Sequence, residues 1–423
     1  MSTRRPEIMA PAGGWSALRA ALHAGADAVY FGVRGFNMRA SSHNFATRDL
    51  PRVAAECHAR PARAYLALNT TVYENELPSV RRVLAAARDA GIDAVIAWDL
   101  AVVQTACELG LPVFLSTQAS VSNSAALAAF HRQFGIRRFV LARECTLAHI
   151  RAIRRNLRRE LGAAAGGIEL EVFAHGAMCV SVSGRCFMSE LVAGKSANRG
   201  QCSQPCRRPY QIVAADDEAA FRMGENYLLS PQDLCTLPFI EQLLAAGVDS
   251  LKIEGRGRSP DYVATVVGAY RRAVDCYFER RRRPNFAAEF RALKDELMRE
   301  LDSVFHRGLS SGFFMGQPIG QWTGAPNNQS AVRKVRVGVV ANYYRKAGAA
   351  EIRVLEAGFQ PGDELLIQGP TTGAIRHRVA SIQIGRQAVP AAEKGTSVAV
   401  LLPSPARRGD QVYLLVARDT TPR

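Results

Sequence analysis

The sequence reads as an α/β protein: a (β/α)8 TIM-like barrel with a Cys-rich insertion after strand 7, plus a small C-terminal β-barrel domain. Three observations predict it. One phrase recurs, as A-G-A-D-A-V at 24–29, A-G-I-D-A-V at 90–95, A-G-V-D-S-L at 246–251 and, more loosely, F-G-I-R-R-F at 134–139. Each copy is a helix end, a Gly that stops the helix in the left-handed region, and the start of an apolar strand. Short apolar runs alternate with helical periodicity over the first two thirds of the chain, and near residue 334 the pattern changes to alternating strands with Gly-rich turns.

In chain order, strands are expected at 7–11, 27–32, 63–69, 94–98, 112–117, 138–142, 168–174 and 250–254. Their nearly continuous apolar character suits parallel strands covered on both faces. Helical patterns fill the gaps, as at 15–23, 77–89 and 125–133. Eight such units fit a closed barrel. An open doubly wound sheet would carry a G-x-G-x-x-G turn after its first strand, and there is none. The connection from 174 to 250 breaks the rhythm and forms an insertion at the catalytic face. Helices follow at 260–281 and 287–301, then strands at 335–341, 351–354, 362–368, 398–402 and 411–416. The expected domains are therefore 1–284 (barrel, with the insertion at 175–249), 285–333 (helical connector) and 334–423 (small β-barrel).

No stretch reaches the roughly 18 apolar residues of a membrane helix, and no apolar signal segment opens the chain, so a cytoplasmic protein is expected. The 54 Lys+Arg against 38 Asp+Glu give a formal charge of +16. Runs at 151–159 and 280–283 carry much of the excess, either as solvated helix faces or as a grip on a polyanion such as RNA.

Polar residues collect at the strand ends, where barrel active sites are built. Asn37 and Arg39 follow strand two, Asn69 ends strand three, Gln118 follows strand five, and Arg143 and Glu144 follow strand six. His175 follows strand seven, and Lys252 and Glu254 share one side of strand eight. A Lys and a Glu inside a barrel imply an ion pair or a substrate contact, with a purely structural pair as the alternative.

Of nine cysteines, Cys57, Cys107, Cys145 and Cys276 stand singly in helical stretches, as small core residues do. Cys179, Cys186, Cys202, Cys206 and Cys235 cluster in the insertion, which asks for a metal or redox role. The C-x6-C and C-x3-C spacings are not those of common zinc knuckles, and iron–sulfur ligand spacings vary widely. Zinc is the second choice.

Residues 171–189 read E-V-F-A-H-G-A-M-C-V-S-V-S-G-R-C-F-M-S and resemble the signature of the U32 peptidase family. M-A-P-A-G-G at 9–14, G-A-D-A-V-Y-F-G at 25–32, N-R-G-Q-C-S-Q-P-C-R-R-P-Y at 198–210, S-L-K-I-E-G-R at 250–256 and H-R-G-L-S-S-G-F at 306–313 extend the resemblance along nearly the whole chain. It implies a (β/α)8 barrel with a [4Fe–4S] cluster that acts in hydroxylation. Members of the family serve the wobble uridine of tRNA, with prephenate metabolism implicated as the oxygen source, a cytidine of ribosomal RNA, or a ubiquinone precursor. Carried over, Cys179, Cys186 and Cys202 match motif cysteines, and Cys206 fits the fourth ligand of the tRNA type, with Cys235 as competitor. The resemblance is to the tRNA-hydroxylating branch, from which the chain departs between Tyr210 and Tyr227. The expected catalytic groups are His175, Lys252, Glu254, Arg143 and Glu144. Asn37, Arg39, Asn69, Gln118 and Arg256 are expected to hold the base and a small hydroxyl donor such as prephenate.

Hydrolytic machinery is the competing expectation. No H-E-x-x-H occurs, G-L-S-S-G at 308–312 lacks the strand–turn–helix setting of a nucleophile elbow, and His175 could serve Cys179 as a base if no cluster is present. A metal-stabilised RNA-binding scaffold is the third reading.

Overall fold

The computed structural model describes residues 4–40, 43–210, 227, 229–318, 320–325 and 327–418. The segment in which the chain departs from the tRNA type, and the first three residues, lie outside the described residues. Strands and helices alternate as β1 (Glu7–Ala12), α1 (Trp15–His23), β2 (Ala28–Phe31), α2 (Leu50–His58), β3 (Arg63–Ala67), α3 (Leu77–Asp89), β4 (Ala94–Ala97), α4 (Leu100–Glu108), β5 (Val113–Leu115), α5 (Ser124–Phe134), β6 (Arg138–Val140), α6 (Leu147–Leu161) and β7 (Glu169–Gly176). The insertion carries α7 (Met188–Ala193) and β8 (Asp233–Cys235), and α8 (Ile240–Ala245), β9 (Ser250–Ile253) and α9 (Pro260–Arg280) complete the barrel. β1 to β7 pair in parallel in chain order, and β9 pairs in parallel with both β7 and β1, which closes the eight-stranded barrel.

The recurring phrase explains the joints. Gly25, Gly91, Gly135 and Gly247 all adopt positive φ (86°, 72°, 67° and 82°). The Asp two residues after the Gly acts as a tether. Asp27 accepts the amide of Ile8, Asp93 that of Ala64, and Asp249 that of Leu170, at 2.7–2.8 Å. Each carboxylate thus ties the start of one strand to its neighbour.

The main core fills the space between barrel and helices, and a second layer (Met9, Tyr30, Tyr65, Ile96) fills the barrel itself. Beneath that layer lie charges. Arg138, 2% exposed, bonds Glu7 and Glu169, and Lys252 Nζ bonds the fully buried Glu171 at 2.9 Å. Lys252 and Glu254 are therefore not paired with each other. Lys252 faces Glu171 across the β7–β9 ladder, whereas Glu254 takes Arg39 at 2.8 Å. Cys57, Cys145 and Cys276 are buried as expected; Cys107 is exposed, because it lies on the outward side of α4.

After α10 (Phe286–Asp302), the two-residue β10 (Leu309–Ser310) pairs with β8, which in turn runs antiparallel to the end of β7. The last region holds β11 (Val332–Tyr344), β12 (Ala349–Val354), β13 (Glu364–Gly369), β14 (Gly373–Arg378), β15 (Ile382–Ile384), β16 (Gln387–Val389), β17 (Ser397–Leu401) and β18 (Gln411–Ala417). They form one antiparallel sheet, ordered β14-β13-β18-β11-β12-β17-β15-β16, around a core of its own that includes Val337, Ile352, Leu365 and Val412. It docks on α1 and α9, where Lys334 and Gln368 both reach Asp261 (2.7 and 2.8 Å).

Candidate active site

A cavity of about 290 Å³ opens at the C-terminal ends of the barrel strands, roofed by the insertion. Arg39, Asn69, Gln118, Arg143, Lys252, Glu254 and Arg256 line it together with Cys179, Cys186, Cys202 and Cys206. Three expected residues do not. Asn37, fully buried, stands behind the wall, where its Oδ1 accepts from Arg256 Nη1 and from the Arg39 amide, both at 3.0 Å. It orients both guanidinium-bearing residues rather than touching the cavity. Glu144 accepts the amide and hydroxyl of Ser183 (2.7 and 3.0 Å) and so pins the insertion to the end of β6.

His175 is turned away by a register shift. Phe173 pairs with Lys252, but His175 pairs with Ile253, so the bulge between them moves its ring off the cavity side. There it packs on Tyr262 and Tyr270. Burial, with smaller contributions from the neighbouring His306 and Arg258, pushes its pKa down to about 3. The unfolded chain binds a proton near the ordinary value of 6.5 that the folded ring refuses. This stability contribution is therefore complete above pH 6.5 and falls away from there toward pH 3, by about 1.4 kcal/mol per pH unit. A His175→Phe chain should lose that one-proton slope in urea unfolding between about pH 7 and pH 5. An unchanged slope would show that His175 titrates normally.

The cavity is strongly cationic. Arg39, Arg143, Arg207, Arg256, Arg258, Arg307 and Lys252 line it against one carboxylate, Glu254. Burial pushes Glu254 up, but Arg39, Arg143 and Arg256 outweigh it and hold the carboxyl down at about 2. Burial pushes the Arg256 guanidinium down to about 10. Arg143 lies 4.2 Å from the Phe173 ring centre and bonds the Ala177 carbonyl, and its buried Nε has no partner among the described residues. Such a donor set suits an anionic small molecule. Asn69 and Ser116 both donate to Gln118 Oε1, an arrangement that fixes the Gln118 amide at the wall.

The reading of the sequence missed Arg207, Arg258 and Arg307. Arg258 and Arg307 flank the buried Asp233 at 3.6 and 3.5 Å, and Arg207 bonds the carbonyls of Met178 and Pro231. Their only signal was position inside the C-R-R, G-R-G-R and H-R-G blocks. The two basic runs, by contrast, lie at the other end of the barrel. Arg154 bonds Gly247 and Asp249 just before β9, and α9 ends beside Arg5, just before β1.

The four cysteines are free thiols at the cavity wall, each partly exposed. Burial pushes the Cys206 thiol up to about 11; Arg207 opposes this, and Cys179, Cys202 and Cys186 add to it, which marks all four as neighbours. Polar groups surround the sulfurs: Ser181 Oγ lies 2.9 Å from Cys179, the Met188 amide 3.3 Å from Cys186 and Ser189 Oγ 3.7 Å from Cys202. Among the described residues, no three Cys, His, Asp or Glu are arranged to share a single ion. The donor set, four cysteine sulfurs on one cavity wall, is of the kind that holds an iron–sulfur cluster. Cys235, 2% exposed, lies behind the wall against Met298 and Tyr270. The turn carrying the cysteines depends on Gly200 (φ 81°), where a Cβ would stand 2.1 Å from the Asn37 carbonyl.

Neither hydrolytic arrangement forms among the described residues. No hydrogen bond joins His175 to Cys179, and His306 commits one ring nitrogen to Asp302 (2.8 Å) and the other to the Gly308 amide (3.1 Å), leaving none for Ser310.

A family model described as Peptidase family U32 matches residues 13–324. "Collagenase" of Porphyromonas gingivalis is 38% identical over 416 residues, 98% of each chain. "tRNA hydroxylation protein P1" of Bacillus subtilis is 32% identical over 387 residues, 90% of this chain and 87% of that one. "23S rRNA 5-hydroxycytidine C2501 synthase" of Escherichia coli is 33% identical over 339 residues, 76% of this chain and 49% of its own.

Proposed function

The chain belongs to peptidase family U32, and from that premise we propose that it is an RNA-modification enzyme that hydroxylates the wobble uridine of tRNA at C5. The observation that carries this reading is the convergence of four cysteines and a cationic wall on one recessed cavity of the barrel. A cavity of this depth admits a nucleobase only after it leaves its stack, and that is least costly in a single-stranded loop. Asn69 and Gln118 present amides able to read a base edge, while Lys252, Arg143 and Arg256 hold an anionic hydroxyl donor such as prephenate. Glu171 keeps the Lys252 ammonium in place, and Glu254 does the same for Arg39. Cys179, Cys186, Cys202 and Cys206 would hold the [4Fe–4S] cluster, which supplies one-electron chemistry beside the substrate when bound. Among the described residues no helix is long and apolar enough to cross a membrane, and the proposed RNA substrate would be met in the cytoplasm.

The relatives named collagenase favour a second reading, peptide hydrolysis. Nucleoside analysis of tRNA from a deletion strain separates the two. Loss of the hydroxylated uridine, restored by the gene on a plasmid, is expected. Unchanged tRNA nucleosides alongside collagen cleavage by the purified chain would establish the peptidase instead. An altered ribosomal-RNA nucleoside or ubiquinone pool, with normal tRNA, would move the hydroxylation to that substrate.

A further inference from the structure

We propose that the rim of the cavity is a stacking platform for the single-stranded RNA nucleotides on either side of the target base; this rests on the RNA reading above. The insertion displays its apolar side chains outward at this rim. Phe187 is 68% exposed, Val182 62% and Leu191 85%, while Cys186 and Met188 on either side of Phe187 line the cavity. Two aromatics from the barrel loops join them. Tyr73, 56% exposed, has the Arg199 guanidinium 4.5 Å from its ring centre, and half-buried Trp98 has that of Arg185 at 5.9 Å. The loops are tied to the rim: Arg199 bonds the Thr71 carbonyl, and Trp98 Nε1 bonds that of Asn69, a cavity residue.

Large apolar side chains left exposed beside a cavity mark a binding surface. Its charge identifies the occupant. Arg185, Lys195 and Arg208 are exposed with no carboxylate partner among the described residues, against Glu190 on α7 and Glu74 beside Tyr73, while Arg199 is paired with Glu76. Aromatics interleaved with unpaired cations are what stacked bases and their phosphates recognise. Geometry adds a second reason. A base inserted in the cavity is covalently flanked by two nucleotides that must cross this rim, and the basic runs at the far end of the barrel cannot reach them.

The test uses the full chain and a fluorescent anticodon stem–loop, with a fully paired RNA duplex as control, read by anisotropy at two salt concentrations. Phe187→Ser should weaken hairpin binding about ten-fold and leave duplex binding unchanged. Arg185→Gln should weaken hairpin binding less and flatten its salt dependence. Both variants should keep the wild-type melting temperature and iron content. If the wild type binds and modifies the hairpin while both variants bind it equally well, the platform is wrong and the RNA reading stands. If the wild type does not bind the hairpin at all, both fall. If Phe187→Ser instead converts a dimeric wild type to monomers, the patch is a protein interface and the platform is overturned.

Discussion

Replacing Glu254 by Gln should remove hydroxylation almost completely, by a factor of about a hundred or more, and destabilise the chain by about 3 kcal/mol. The substitution is isosteric, so its effect is electrostatic. Glu254 Oε1 accepts both Nε and Nη2 of Arg39 (3.2 and 2.8 Å), and the carboxylate balances Arg143 and Arg256 as well. A neutral amide leaves three guanidiniums facing one another in a recessed site, and its oxygen holds Arg39 by neutral rather than charge-assisted hydrogen bonds. The pair is 12% exposed on the Glu side and 31% on the Arg side, so water screens only part of the loss. Adding Arg39→Met to Glu254→Gln should recover much of the stability, because the uncompensated charge goes with it, but no activity. Melting curves and single-turnover assays of the two chains check this. A Glu254→Gln chain that melts like the wild type would mean that the cavity's charge is balanced by something other than this carboxylate.

The barrel was legible because its joints are local. Each of the three A-G-x-D phrases contains its own helix stop, strand tether and strand start, and the looser F-G-I-R copy keeps the stop and the strand start without the Asp, so four turns of the fold are marked without any long-range information. The cavity wall was legible for a related reason: closing a parallel barrel brings every strand end to one face, which assembled Arg39, Asn69, Gln118, Arg143 and Lys252 from position alone. What failed depended on register. Period two puts His175 on the same side as Phe173, and a single bulge reverses it. Period two also offers Glu254 as the partner of Lys252 on its own strand, whereas the ladder supplies Glu171 from the next. β8 has only three residues inside a long insertion and shows no alternation to find. Arg207, Arg258 and Arg307 come from three separate segments, and nothing in their spacing announces that they meet beside Asp233.

The cysteines give the sharpest remaining prediction, because the alternative ligand, Cys235, is placed differently from the other four. Anaerobically purified wild type should carry about four irons and as many labile sulfides per chain, and Cys206→Ala should lose them together with hydroxylation. Cys235→Ala should keep the iron. Its sulfur lies in a dry contact with Met298 (3.8 Å) and the Tyr270 hydroxyl (4.0 Å), on the far side of the β7–β8 pair from the cavity. Removing it leaves a small void, with a cost of about 1 kcal/mol that appears in melting and not in the absorption spectrum. The opposite result, iron lost in Cys235→Ala and kept in Cys206→Ala, would require the β7–β8 pair to open so that Cys235 reaches the cavity, and would give Cys206 a different role. Wild type without iron but with one tight zinc would remove the hydroxylation chemistry altogether, since zinc undergoes no redox change.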